Sequence, residues 1–171
     1  MKKIVFIAGI HGVGKTTFCQ KIQKDVAIKH YSCGTLIKEN SDYIETSKTI
    51  DKAERNQLIL IESLNKISDG KLLLDGHFCL IDKRNSVLRL DDSVFESLNL
   101  SAVVILTCDV KTIHNRLQER DGATFDIELL QELQDAELER ADTISSNLNI
   151  PLIHYHADAP IKNITSFING L

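Results

Sequence analysis

Apolar residues recur along the chain in two rhythms. Ile4, Val5, Phe6, Ile7 and Ala8 form an unbroken apolar run, as a strand buried on both faces requires. Four further short runs read as strands: residues 26–33 (VAIKHYSC), 71–75 (KLLLD), 102–108 (AVVILTC) and 151–156 (PLIHYH). Between them the spacing changes. Leu58, Ile61, Leu64 and Ile67 recur every three residues and predict a helix over 51–68; residues 109–120 and 126–148 are similarly periodic. Asp126 is placed to cap the longest helix, and Asn149 with Pro151 to end it. Strands alternating with helices predict an α/β fold, a mostly parallel sheet covered on both faces through right-handed crossovers. Ligands then bind beyond the carboxyl ends of the strands. One segment departs from the alternation. In 77–90 (HFCLIDKRNSVLRL), Phe78 and Leu80 on one side and Val87 and Leu88 on the other flank a polar centre, which predicts a small hairpin or loop after the third strand.

The end of the first strand carries the strongest chemical signal. Gly9, Gly14, Lys15 and Thr16 satisfy G-x-x-x-x-G-K-[ST], with the required strand before and, from Thr17 onward, Phe18 and Ile22 at helical spacing behind. Glycines let such a loop turn its N–H groups inward around phosphate oxygens, and the first helical turn adds unpaired N–H groups and the positive end of its dipole. Gly9, His11, Gly12, Val13, Gly14, Lys15, Thr16 and Thr17 are therefore the expected nucleotide-binding residues. Lys15 is expected on the β and γ phosphates and the Thr16 hydroxyl on Mg²⁺. A glycine-rich turn that binds nothing is the bland alternative, and the conjunction of strand, motif and helix argues against it.

Composition narrows the class. A chain of 171 residues with 43% hydrophobic content is expected to form a single domain with a sizeable core. It has no repeats, no Pro-, Gly- or Ser-rich linker and no apolar stretch long enough to cross a membrane. The apolar run behind Met1, Lys2 and Lys3 is too short for a signal peptide and leads into the phosphate loop. Cys19, Cys33, Cys79 and Cys108 form no C-x-x-C pair and each lies in or beside an apolar run, so reduced, mostly buried thiols in a cytoplasmic protein are expected rather than a zinc site. The net charge of -4 without a basic stripe disfavours a nucleic-acid partner.

Other residues gain meaning from the phosphate loop. Asp75 ends the third strand, where a carboxylate can hold a water of the Mg²⁺ shell or accept a proton from an attacking group; an Asp-Gly turn with Gly76 is the alternative. His77 either orients Asp75 or the nucleophile, or is a satisfied structural histidine. Arg116 and Arg120 share one helix face just before Gly122 and suit charge neutralisation on a transferring phosphoryl group, with surface pairing to Glu119 or Asp121 as the alternative. Arg140 either returns to the same site or belongs to a solvated face. Gly34, Thr35 and Lys38, at a strand end and helix start, mark a second substrate region, to which Lys48 and Arg55 add positive charge.

The stretches GIHGVGKTT, CGTLIKEN, LLLDGH and VVILTCDVKTIHNRLQERD, followed by a long helix containing LERAD, resemble the small adenylate kinases of the archaeal type. They are similar also to the short adenylate kinase-like ATPases whose third strand ends in Asp-x-His. The resemblance spans nearly the whole chain and places it among the P-loop nucleoside monophosphate kinases. It implies a three-layer fold with a parallel five-stranded sheet in the order 2-3-1-4-5, ATP held by the loop 9–17, and a nucleoside monophosphate between the 34–60 region and the end of the third strand. It implies a short lid over 116–126, in which Arg116 and Arg120 match lid arginines, and places the loop HADAP beside the adenine of ATP. The arginine that many adenylate kinases carry in D-G-F-P-R is absent, since this chain reads Asp75, Gly76, His77, Phe78, Cys79. Lys38 stands where relatives often carry arginine and lacks a bidentate grip; Arg84 or Arg89 is a substitute to look for.

The expected activity is a Mg²⁺-ATP-dependent phosphotransferase acting on a nucleoside monophosphate, with AMP as the family default. Lys15, Asp75, His77, Arg116 and Arg120 are the expected catalytic residues, Gly34, Thr35, Lys38 and Arg55 the acceptor-binding ones, and Thr16 and Asp75 the metal residues. The alternatives are an ATP-hydrolysing switch or assembly factor acting on a macromolecular partner, and a kinase for a different small-molecule acceptor. The sequence identifies no protein partner.

Overall fold

The computed structural model describes residues 2–41, 52–122 and 124–171. Lys48, part of the 34–60 acceptor region and position 123 of the expected lid lie outside the described residues. The strands β1 (Lys3–Ala8), β2 (Lys29–Ser32), β3 (Lys71–Gly76), β6 (Ala102–Thr107) and β7 (Leu152–His156) form one sheet in the order β2-β3-β1-β6-β7, all pairs parallel. Between β3 and β6 the chain makes an antiparallel hairpin of β4 (Cys79–Ile81) and β5 (Val87–Arg89). Set aside from that hairpin, the main sheet follows the expected 2-3-1-4-5 order; only the numbering shifts. The helices α1 (Lys15–Asp25), α2 (Cys33–Asn40), α3 (Lys52–Lys66), α4 (Asp92–Ser97), α5 (Val110–Asp121), α6 (Ile127–Asn147) and α7 (Lys162–Gly170) flank the sheet.

The central strands explain their own composition. From Ile4 to Ala8 and from Leu72 to Leu74 every residue is buried, as it is from Ala102 to Leu106, because helices cover both faces and leave no solvent side for a polar residue. β2, at the sheet edge, is only half-buried and keeps polar residues. Helix ends are fixed by their neighbours. Asp109 accepts from Thr112 N–H at 3.0 Å and caps α5; Asp126 accepts from Glu128 N–H at 3.0 Å and caps α6. Asn149 follows α6 with φ 51°, a left-handed turn that Asn tolerates, and Pro151 lies just beyond.

Two features position the site. Parallel pairing aligns the carboxyl ends, with Ala8 opposite Gly76 and Ser32 opposite Asp75, so the turn after β1, the start of α2 and His77 come together at one edge. Beneath them Phe6, Phe78 and Phe95 stack in a triangle with ring centroids 4.7–5.9 Å apart. Each such ring pair is worth about 0.5–1.5 kcal/mol beyond area burial, and together they pin the corner after β3 to β1 and α4.

The four cysteines are free thiols, three of them buried; burial pushes the Cys79 thiol up to about 12 and holds it protonated. Among the described residues no helix is long and apolar enough to cross a membrane, and no cluster of side chains forms a metal-binding group of histidine, cysteine and carboxylates.

Candidate functional site

A cleft of about 1860 Å³ opens at the carboxyl edge of the sheet. One end is the loop between β1 and α1. Gly9 has φ 149°, and a Cβ there would lie 2.8 Å from Val13 Cγ1 and 2.9 Å from the Leu106 carbonyl oxygen. No other residue fits, which is why the apolar strand breaks there. Gly14 precedes α1 without any side-chain cap, leaving the first-turn N–H groups of the helix open to an incoming anion. His11, Gly12, Val13, Gly14, Lys15, Thr16 and Thr17 line the cleft.

Lys15 is buried and donates across its own loop to the Gly9 carbonyl at 2.7 Å and the Ile10 carbonyl at 3.4 Å. Burial lowers its pKa to about 8, against the opposing pull of Asp75 and Glu137. Both arginines of α5 turn toward this loop. Arg116 Nη1 lies 3.3 Å from the Gly12 carbonyl oxygen and 3.4 Å from that of Val13. Arg120 pairs with Asp121 through two contacts of 2.9 and 2.7 Å and donates to His11 Nε2 at 2.6 Å. The His11 pKa is lowered, by burial first and then by Arg120, His77 and Lys15, which keeps Nε2 an acceptor. The surface pairing of Arg120 with Asp121 and its approach to the phosphate loop are thus both present in one geometry. The expected lid over 116–126 is mostly helix: α5 runs through Asp121, Gly122 ends it with φ 62°, and His114 Nδ1 lies 2.9 Å from the Phe125 carbonyl oxygen.

Asp75 and Gly76 are not a turn. Both belong to β3, and Gly76 is glycine because a Cβ would come within 2.8 Å of the Phe6 ring and 3.0 Å of Cys33 Sγ. Asp75 is buried at the strand end, lines the cleft and contacts His30 Nε2 through Oδ2. His77 therefore does not orient Asp75. It lines the cleft with Nδ1 3.6 Å from Glu137 Oε1. Both carboxylate oxygens of Glu137, on α6, accept from Phe78 N–H at 3.0 and 2.9 Å.

His30 and Glu137 are residues that the sequence reading passed over. The run 26–33 hid His30 among strand residues. Glu137 left a clearer signal: it falls in the buried stripe Leu130, Leu133, Ala141, Ile144 of α6, where a carboxylate needs a reason. Arg140, by contrast, does not reach the cleft. Its Nη2 donates to the Leu90 carbonyl at 2.7 Å and to Asp92 at 2.6 Å, fastening the end of the hairpin to α6.

Residues 8–134 match the family described as an AAA domain. The chain belongs to that family. It is thereby a member of the P-loop nucleoside monophosphate kinase-like superfamily. Human adenylate kinase isoenzyme 5 is 30% identical over 132 residues, which cover 74% of this chain and 24% of that protein. Adenylate kinase from Thermoplasma acidophilum is 25% identical over 142 residues, 79% of this chain and 78% of that one. A further relative, from Methanocaldococcus jannaschii, is covered over 58% of its length, so the chain spans less than two thirds of two of these curated relatives. A gluconokinase structure from Sinorhizobium meliloti has a TM-score of 0.53 at 19% identity, covering 98% of this chain and 89% of that one, and shares the fold.

In this P-loop kinase-like protein the end of the cleft away from the phosphate loop is built by α2, α3, α4 and the hairpin. Gly34 and Thr35 line it; Lys38 and Arg55 do not. Lys38 is exposed in the last turn of α2, and Arg55 Nη2 donates to the Ser41 carbonyl at 2.9 Å. Arg84 and Arg89 also lie outside the lining, Arg89 being paired with Glu139 at 2.9 Å. Leu80 and Leu88 stand directly opposite each other across the hairpin, 41% and 51% exposed, and both face the cleft beside Leu60, Val94 and Leu98.

Proposed function

We propose that the chain is a Mg²⁺-ATP-dependent phosphotransferase, with ATP at the loop end of the cleft and a small acceptor, a nucleoside monophosphate in the first instance, at the other. The observation that carries this reading is the convergence of Lys15, Thr16, Asp75, Arg116 and Arg120 on one end of a cleft that continues past them. Its volume of about 1860 Å³ exceeds the roughly 300–1,000 Å³ usual for one small ligand. The names of the relatives support nucleotide acceptors.

The donor set fits magnesium: the Thr16 hydroxyl and the Asp75 carboxylate are hard oxygen ligands lining one end of the cleft, where they would hold the ion or its waters. The ion would neutralise charge on the phosphates. The chain's own residues do the rest. The glycine loop and first turn of α1 hold the phosphates, and Lys15 leaves the carbonyls of its loop for their oxygens. Arg116 and Arg120 are within one helical turn of each other and supply charge to the moving phosphoryl group. Catalysis is then mainly positioning and electrostatics. Tyr155 and Ala157 border the same end and give the adenine a wall.

A second reading, transfer to water or to an alcohol, is favoured by one observation: among the described residues, Leu60, Leu80, Leu88 and Leu98 line the acceptor end of the cleft together with Lys52, Glu54 and Asn56, and no arginine stands there for an acceptor phosphate. The test is ADP formation from Mg²⁺-ATP alone and with each of a panel of nucleoside monophosphates and nucleosides. Stimulation above about tenfold by one acceptor, equivalent to about 1.4 kcal/mol of barrier, supports transfer to that acceptor. Slow ADP formation indifferent to all of them supports hydrolysis.

A further inference from the structure

Glu137 is 1% exposed, and desolvating a carboxylate costs several kcal/mol. Its two oxygens share the Phe78 N–H, and its charge also opposes the lowering of the Lys15 pKa. What a carboxylate adds is that it only accepts. A group set directly against it must present a proton, and beside the Phe78 N–H that group is His77 Nδ1 at 3.6 Å. At that separation the two groups are close neighbours rather than hydrogen-bonded partners.

We propose that Glu137 is a positioning residue: it holds His77 as the Nδ1–H tautomer and leaves Nε2 as a hydrogen-bond acceptor at the cleft, matched to a nucleophile that carries an O–H. The inference rests on the second reading above, phosphotransfer to water or to an alcohol. His77 is placed for this role. It is the first residue beyond β3, its side chain is 28% exposed into the cleft, and its ring centroid lies 6.3 Å from that of His11 in the phosphate loop. The Phe78 N–H bonds fix the backbone on which His77 sits, while the third contact fixes the ring. Orientation suffices, since a phosphoryl acceptor needs alignment with the bond that breaks more than it needs activation. The chemistry recognised is a hydroxyl, from water or from an alcohol; a nucleoside monophosphate attacking through a phosphate oxygen brings no such proton.

The Glu137→Gln variant separates these roles. Its carbonyl still accepts from Phe78 N–H, one of the two bonds the carboxylate makes, and its amide N–H₂, turned toward His77, favours the opposite tautomer. Two-bond ¹H–¹⁵N correlations on the full chain at about pH 8, where an ordinary histidine is neutral, read the tautomer directly. The wild type is expected as Nδ1–H and the variant as Nε2–H. In the same variant, kcat for ADP formation with water alone, and with any stimulating nucleoside, is expected to fall about tenfold with KM for ATP and the melting temperature nearly unchanged. Transfer to AMP should fall less. The proposal is overturned by an Nε2–H wild type, by one tautomer shared by both proteins, by an unchanged kcat, or by an equal loss with AMP. A wild type that forms no ADP defeats the phosphotransfer reading instead, and the tautomer comparison still decides the role of Glu137.

Discussion

Lys15 couples charge to ligand more tightly than its neighbours do. Its pKa is lowered from 10.5 to about 8, so between those values the unfolded chain binds a proton that the folded chain does not. Stability from this group therefore rises with pH across that window, and below about 8 the full cost of the buried charge is present. A phosphate placed against the ammonium reverses the balance by favouring the charged form, so nucleotide binding takes up a proton. At pH 8 the uptake should be about half a proton, and ATP affinity should decline as pH rises beyond it. Calorimetry in two buffers of different ionisation enthalpy measures both; affinity that stays level through this range would contradict the assignment of Lys15. Arg120 is held by His11 and Asp121. If it moves onto the phosphoryl group only in the transition state, Arg120→Ala lowers kcat more than it raises KM for ATP. The reverse pattern in steady-state kinetics would make it a binding residue.

At the scale of elements, β3 and the corner after it decide where the chemistry sits. Gly76 lets the strand pass against the Phe6 ring, so Gly76→Ala must displace the aromatic triangle. The expected loss is about 1–3 kcal/mol by denaturant titration, as for other overpacked cores, and a loss under about 0.5 kcal/mol would show that the ring yields freely. How legible this was differs by element. The central strands and long helices could be read because burial on both faces, or on one, imposes a period on the residue pattern. The short helices α4 and α7 could not, since six to nine residues hold too few turns for a period to emerge. The phosphate loop was readable because backbone geometry dictates its glycines. The Asp75–His30 and His77–Glu137 contacts were not, because they join residues 45 and about sixty positions apart whose proximity only the sheet order creates. Lys38 and Arg55 looked suitable by sequence position, yet side-chain direction on α2 and α3 carries them outside the lining.

The whole molecule is a parallel sheet that delivers loop ends to one edge, with a hairpin set between β3 and β6. In that hairpin Leu80 and Leu88 pair across the strands and face the cleft, 41% and 51% exposed. The fold leaves the acceptor open, because one scaffold carries different acceptors on the same loop. The decisive measurement follows the γ-phosphorus of radiolabelled Mg²⁺-ATP through the wild-type chain, with Lys15→Ala as the blank and a mixture of nucleoside monophosphates and nucleosides present. The account predicts label leaving ATP in the wild type alone, into an organic acceptor on the primary reading and into inorganic phosphate on the second. Label that stays on ATP, or that leaves it equally fast with Lys15→Ala, would contradict the claim that this cleft transfers phosphoryl groups.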